Sequence, residues 1–142
     1  MTGVVLTHGH PDHVGGLAAV IALAPRAAVW GSARESYQWP VRAIADGDTV
    51  RGLRGLETPG HTPGHVSLLA EDWGALLMGE VLGTQAGRLV RPPANFTTDA
   101  AEAERSLRRL AGLAAERMLF AHGQEIDRPT EAFRQFLQPS AC

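Results

Sequence analysis

The sequence predicts an α/β domain, and three observations predict it. An apolar run at the start of the chain gives way to a polar loop and then a helical pattern. Two apolar segments near the middle follow each other across a short polar connection. A capped amphipathic stretch then leads into a last apolar strand.

In chain order, Val4, Val5 and Leu6 have the pattern of a short buried strand, which ends abruptly in the polar loop from Thr7 to His13. From Val14 to Ala24 the residues Leu17, Val20, Ile21 and Ala24 recur at helical spacing, and Pro25 stops the pattern. Ala27 to Trp30 reads as a second strand, Gly31 to Pro40 is ambiguous, and Asp46-Gly47-Asp48 signals a turn. Val50 to Glu57 alternates weakly ahead of the Pro- and Gly-punctuated stretch Thr58 to His65. Val66 to Ala70 and Ala75 to Met78 read as strands joined by Glu71-Asp72-Trp73-Gly74. Gly83 to Thr98 carries Gly, Pro and Asn without period and reads as a loop. Asp99-Ala100-Ala101-Glu102 has the form of a capping box, and Leu107, Leu110 and Ala114 continue the apolar face of its helix, with Arg105, Arg108 and Arg109 outward. Met118 to Phe120 reads as a final core strand, and Pro129 opens a last helix carrying Phe133, Phe136 and Leu137.

The chain has 142 residues, 44% hydrophobic, which suits one domain with a core of its own. Its formal net charge of −2 gives no basic footprint for nucleic acid or an anionic membrane, so neither is an expected partner. All 13 basic residues are arginine. The one cysteine, Cys142, cannot close an internal disulfide and leaves any metal site to histidines and carboxylates. No apolar run approaches the roughly 20 residues that span a bilayer, and the first residues lack the pattern of a secretory signal, so a cytoplasmic location is the default expectation.

Three of the six histidines lie in His8-Gly9-His10-Pro11-Asp12-His13, at the carboxyl end of the first strand. Gly9 and Pro11 bend such a loop without competing side chains, and imidazole and carboxylate suit Zn²⁺ and related transition metals. His8 and His10 are able to share one ion while Asp12 and His13 address a neighbouring one. Histidines crowded in this way repel on protonation unless a metal or carboxylate organises them.

On these residues the chain resembles the metallo-β-lactamase superfamily, whose His-x-His-x-Asp-His motif matches His8 to His13. Thr7 before the motif and Gly15-Gly16 after it agree as well, as do Pro59-Gly60-His61 and His122-Gly123 after Met118 to Ala121. The Thr-Pro-Gly-His-Thr-Pro-Gly-His form at Thr58 to His65 is similar to the glyoxalase II-like branch. The resemblance implies an αββα sandwich over residues 1–142. It also implies that most of the first N-terminal strands are missing, because only Met1 to Leu6 precede Thr7. The strand at Val4 to Leu6 is then expected to leave backbone groups and an apolar face without partners.

By the same resemblance, His8, His10 and His61 hold one metal, and Asp12, His13 and His122 the other. The ions are one or two Zn²⁺, with Fe or Mn as alternatives, and His65 takes a supporting hydrogen bond. The family's bridging aspartate is replaced by Glu80 after Gly79, which is expected to coordinate on its longer arm, the alternative being a carboxylate pointing into solvent. The implied reaction is hydrolysis of an ester-like bond, a thioester or lactone, in a small-molecule substrate by metal-bound hydroxide, with Asp12 also orienting the nucleophile. There is no Gly-x-Ser-x-Gly elbow to supply a protein nucleophile. Two alternatives stay open: an iron-dependent sulfur dioxygenase with nearly the same ligands, and a non-catalytic metal-binding remnant. Trp30, Trp39 and Trp73 are expected in packing roles, and Tyr37, Arg34 and Arg91 as solvated loop residues.

Overall fold

The computed structural model describes residues 1–138, so Cys142 lies outside the described residues. The strands are β1 (Gly3–Val5), β2 (Ala28–Gly31), β3 (Arg42–Ala43), β4 (Thr49–Val50), β5 (Leu53–Glu57), β6 (Val66–Ala70), β7 (Ala75–Gly79), β8 (Gly83–Gln85), β9 (Arg88–Val90) and β10 (Arg117–Phe120). The helices are α1 (Pro11–Val14), α2 (Leu17–Leu23), α3 (Ala100–Leu110) and α4 (Pro129–Phe136). They form a parallel sheet in the order β1-β2-β3, a mixed sheet in the order β10-β7-β6-β5-β4, and a separate hairpin β8-β9.

Strand alternation sorts the side chains into three cores and so stacks the layers. Val4 and Val29 face Leu17 and Ile21 of α2 on one side of the first sheet. Val5 faces the other way, into a cluster with Ile44, Val66, Leu68 and Leu77 between the two sheets. The far face of the second sheet, with Leu56, Leu69, Leu76, Met78 and Met118, packs on Leu107 and Leu110 of α3 and Phe133 of α4. The result is helix, sheet, sheet, helix, the expected αββα order. Each buried Leu or Phe in these cores is worth about 1.5–3 kcal/mol of transfer free energy.

The strand directions decide where the loops gather. β10 runs parallel to β7, β7 antiparallel to β6, and β6 antiparallel to β5. The carboxyl ends of β5, β7 and β10 therefore lie at one edge of the sheet. The end of β1 is brought there by the Val66 N–H, which donates to the Thr7 carbonyl at 2.8 Å. β1 itself is an edge strand: it pairs with β2, and its other side carries no strand among the described residues.

Four local expectations are corrected. The stretch Val50 to Glu57 is broken by a tight turn at Arg51 and Gly52, with φ of 55° and 80°, across which Val50 pairs with Leu53. The expected loop Gly83 to Thr98 contains the β8-β9 hairpin, turned at Ala86 and Gly87 with φ of 49° and 74°. Both turns put a non-glycine residue first in the left-handed region, which hides them from a search for Asn-Gly or Asp-Gly. The polar loop Thr7 to His13 closes into the helical turn α1, begun at Pro11. Finally, α3 stops at Leu110, so Ala114 is exposed and Ala115 fills the core place instead. Half of the expected capping box forms: the Asp99 side chain accepts from the Glu102 N–H at 2.8 Å, but Glu102 does not reach back, because the Asp99 N–H donates to the Gly60 carbonyl at 2.8 Å instead.

Candidate metal centre

The four loops at the shared sheet edge bring His8, His10, Asp12, His13, His61, Glu80 and His122 together. His10, Asp12 and His13 are set by α1, where the N–H groups of His13 and Val14 donate to the His10 carbonyl at 2.9 and 3.1 Å. His61 sits in a loop tied to the start of α3: the N–H groups of Asp99 and Thr98 donate to the Gly60 and His61 carbonyls at 2.8 and 3.0 Å. Gly60 has φ of 127°, and a Cβ there would lie 2.1 Å from the Ala103 nitrogen, so only glycine lets this loop reach the helix.

The ligand atoms fall into two groups, His8, His10, His61, Glu80 and Asp12, His13, Glu80, His122, with the atoms of each group within 4.8 Å of one another. In the first, His10 Nδ1 lies 3.1 Å from both His8 Nε2 and His61 Nε2, and Glu80 Oε2 lies 3.3 Å from the same two nitrogens. In the second, Asp12 Oδ2 is 3.5 Å from His13 Nε2 and 3.4 Å from His122 Nε2. Glu80 reaches His13 at 2.9 Å and His122 at 3.6 Å. Metal–ligand bonds of about 2.0–2.1 Å in a tetrahedron place ligand atoms about 3.3 Å apart, so these edges match a transition-metal site. His13 Nε2 and Glu80 Oε2 are also buried and close without forming a hydrogen bond. Two such atoms, buried, close and without a hydrogen-bond partner, fit a shared cation.

The electrostatics favour neutral rings with free lone pairs. Burial, and then the surrounding histidines, push His8 down to about 2, and burial lowers His61 although Glu80 opposes the shift. The Thr7 hydroxyl lies 3.1 Å from His8 Nδ1, a partner for the ring N–H that leaves Nε2 facing the cluster. His65, pushed down to about 3 mainly by burial, is neutral as well. Its Nε2 accepts from the Glu80 backbone N–H at 2.9 Å, so Nδ1 carries the proton and donates to the Thr58 hydroxyl at 2.8 Å. That hydroxyl meets Ser67 Oγ at 3.0 Å, and Ser67 donates to the Met78 carbonyl at 3.0 Å. The relay fixes the backbone that delivers Glu80. Gly79 completes it, since a Cβ there would lie 2.5 Å from His65 Nε2.

One functional group escaped the sequence reading. The Glu35 carboxylate accepts from the Gly9 N–H at 3.2 Å and the Gly64 N–H at 3.0 Å, and also takes the Thr62 hydroxyl. It thereby joins the loop of His8 and His10 to the loop of His61. Glu35 lies in the patternless stretch Gly31 to Pro40, and no local spacing marks it.

The cluster opens into a cleft of about 490 Å³, lined by His10, Asp12, Glu80 and His122 at one end and by Leu82, Val90 and Phe96 along the side. Arg91 lines it too, whereas Arg34 is exposed elsewhere and Tyr37 packs against the core of the first sheet. Trp39 also packs there, Trp30 stacks under the Arg42 guanidinium, and Trp73 is 70% exposed on its turn. None of the three tryptophans lines the cleft.

A sequence profile described as the metallo-beta-lactamase superfamily matches residues 1–43 and 31–122. The chain is 34% identical to a hydroxyacylglutathione hydrolase of Cereibacter sphaeroides, over 98% of this chain and 54% of the relative. It is 28% identical to the probable metallo-hydrolase YflN of Bacillus subtilis, over 87% of this chain and 64% of the relative. It thus spans between about half and two thirds of these relatives' lengths. Among solved structures, TTHA1623 in a di-iron-bound form superposes with a TM-score of 0.76 at 26% identity, covering 92% of this chain and 74% of that one.

Proposed function

The chain belongs to the metallo-beta-lactamase superfamily, and from that premise we propose that it is a metal-dependent hydrolase of ester-like bonds, thioesters or lactones. The carrying observation is the pair of ligand groups that share Glu80 and open on a substrate-sized cleft. His8, His10, His61 and Glu80 would hold one ion, and Asp12, His13, His122 and Glu80 the other. A transition metal bound there lowers the pKa of water towards about 7 and polarises a carbonyl.

The chain's own residues then have defined tasks. Asp12, at the cleft wall with its side chain 58% exposed, accepts a hydrogen bond from the attacking water and orients it towards the substrate. The Glu35 carboxylate and the His65 relay hold the imidazoles and Glu80 in register. Among the described residues Thr84 is the one hydroxyl side chain lining the cleft, and it donates to the Gln124 carbonyl at 2.7 Å, so it is not poised as a nucleophile. The relative named a hydroxyacylglutathione hydrolase favours a thioester over a lactone.

The test is a panel of thioesters and lactones against zinc-, manganese- and iron-loaded protein, with bound metal measured by elemental analysis. Turnover by the zinc form is the expected result. The di-iron form of TTHA1623 keeps a second reading in play, an iron-dependent sulfur dioxygenase. Oxygen uptake with a persulfide by the iron form, without hydrolysis by any form, selects it. A protein that stays metal-free after reconstitution is a non-catalytic remnant.

A further inference from the structure

The cleft has two unlike ends. At one stand Asp12, Glu80 and the histidines; along the other runs an apolar wall of Val90, Pro92, Pro93 and Phe96, while Leu82, which also lines the cleft, has none of its own surface exposed. Phe96 is 58% exposed, a large ring left in contact with water beside the polar cluster. This wall is anchored to the ligand loop, because the Thr84 N–H on β8 donates to the His122 carbonyl at 3.1 Å and the Thr84 hydroxyl to Gln124. Its distance from the cluster is therefore built in.

The arginine on the wall is already engaged. Arg91 donates through Nε and Nη2 to Glu104 Oε2 at 3.0 and 2.8 Å, and its guanidinium lies 4.4 Å over the Phe136 ring. Among the described residues no other arginine lines the cleft, and its carboxylates face the reacting end. An anionic arm finds no partner there, whereas an apolar arm covers surface that now meets water.

We infer that the wall formed by Val90, Pro93 and Phe96 binds an apolar acyl arm, which makes neutral aliphatic or aryl acyl thioesters and esters the preferred substrates. The inference rests on the hydrolase reading for the word substrate, but not for the binding itself. Each methylene laid on such a wall contributes about a three- to fourfold gain until the wall is covered.

Two measurements test it on the full chain. With the zinc-loaded protein, kcat/KM for N-acetylcysteamine thioesters from acetyl to octanoyl should climb about threefold per methylene and then level off. Phe96→Ala, which removes an exposed ring and leaves the cores alone, should flatten the climb. Independently of turnover, octanamide should shift the NMR signals of Val90 and Phe96 and bind at least about tenfold more tightly than acetamide. Hydrolysis with a flat or falling series overturns the acyl-arm inference and leaves the hydrolase standing. Octanamide seated on the wall with no thioester turned over removes the hydrolase reading and keeps the apolar site. Octanamide that binds no better than acetamide overturns the site outright.

Discussion

The two ligand groups that share Glu80 differ in how they meet water. In the first, His8 and His61 are fully buried, and the loops that carry them are joined by the Glu35 carboxylate. In the second, the side chains of Asp12 and His122 are 58% and 57% exposed and stand at the cleft. Burial and bracing hold lone pairs in place before an ion arrives, so the first group loses less ordering entropy on binding. Exposure leaves the second group reachable by substrate. On the proposed reading, one half of the centre would retain metal and the other would exchange with the cleft.

The strongest way to break this division is to remove the buried half. His8→Ala together with His10→Ala should bring bound metal to background in elemental analysis and cut turnover by more than about a hundredfold, beyond the cost of losing an outer hydrogen-bond partner. Glu80→Ala should come next, lowering occupancy of both groups, while Glu80→Asp holds or raises it. Equal occupancy in the wild type and both variants would mean that Glu80 serves neither ion. His122→Ala should remove one ion and leave the buried one; loss of both would erase the distinction between the halves. Glu35→Gln should weaken the tighter metal constant by about tenfold in chelator competition with little change in the looser one.

A smaller effect follows from His65, whose folded-state value is pushed down from 6.5 to about 3. A buried neutral histidine favours the unfolded chain wherever that chain binds the proton. Its contribution is thus fully present above pH 6.5 and is lost as pH falls from 6.5 towards 3. Melting of the metal-free protein should show stability declining through that window. Because His65 holds the Glu80 N–H, both ligand groups should loosen together in acid, which sharpens the view that they share one support.

The sequence by itself determined what depends on neighbours along the chain. His8 to His13, Pro59-Gly60-His61, the Asp99 cap and the helical stop at Pro25 are local devices, in which residue type and spacing state the chemistry. The short apolar runs of β1, β6, β7 and β10 were legible for the same reason, since strand alternation needs only the sequence of side chains. Tertiary structure alone decided the rest. Glu35 reaches Gly9 and Gly64 only because the chain after β2 returns across both loops. Glu80 meets both ligand groups rather than solvent because Gly79, His65 and the parallel pairing of β7 with β10 aim it. The apolar wall stands in a stretch without periodicity, where the hairpin turns on Ala86 and Gly87 and Arg91 folds back onto Glu104. Contacts of that kind join residues far apart in the chain, and their energy comes from packing, which no local spacing records.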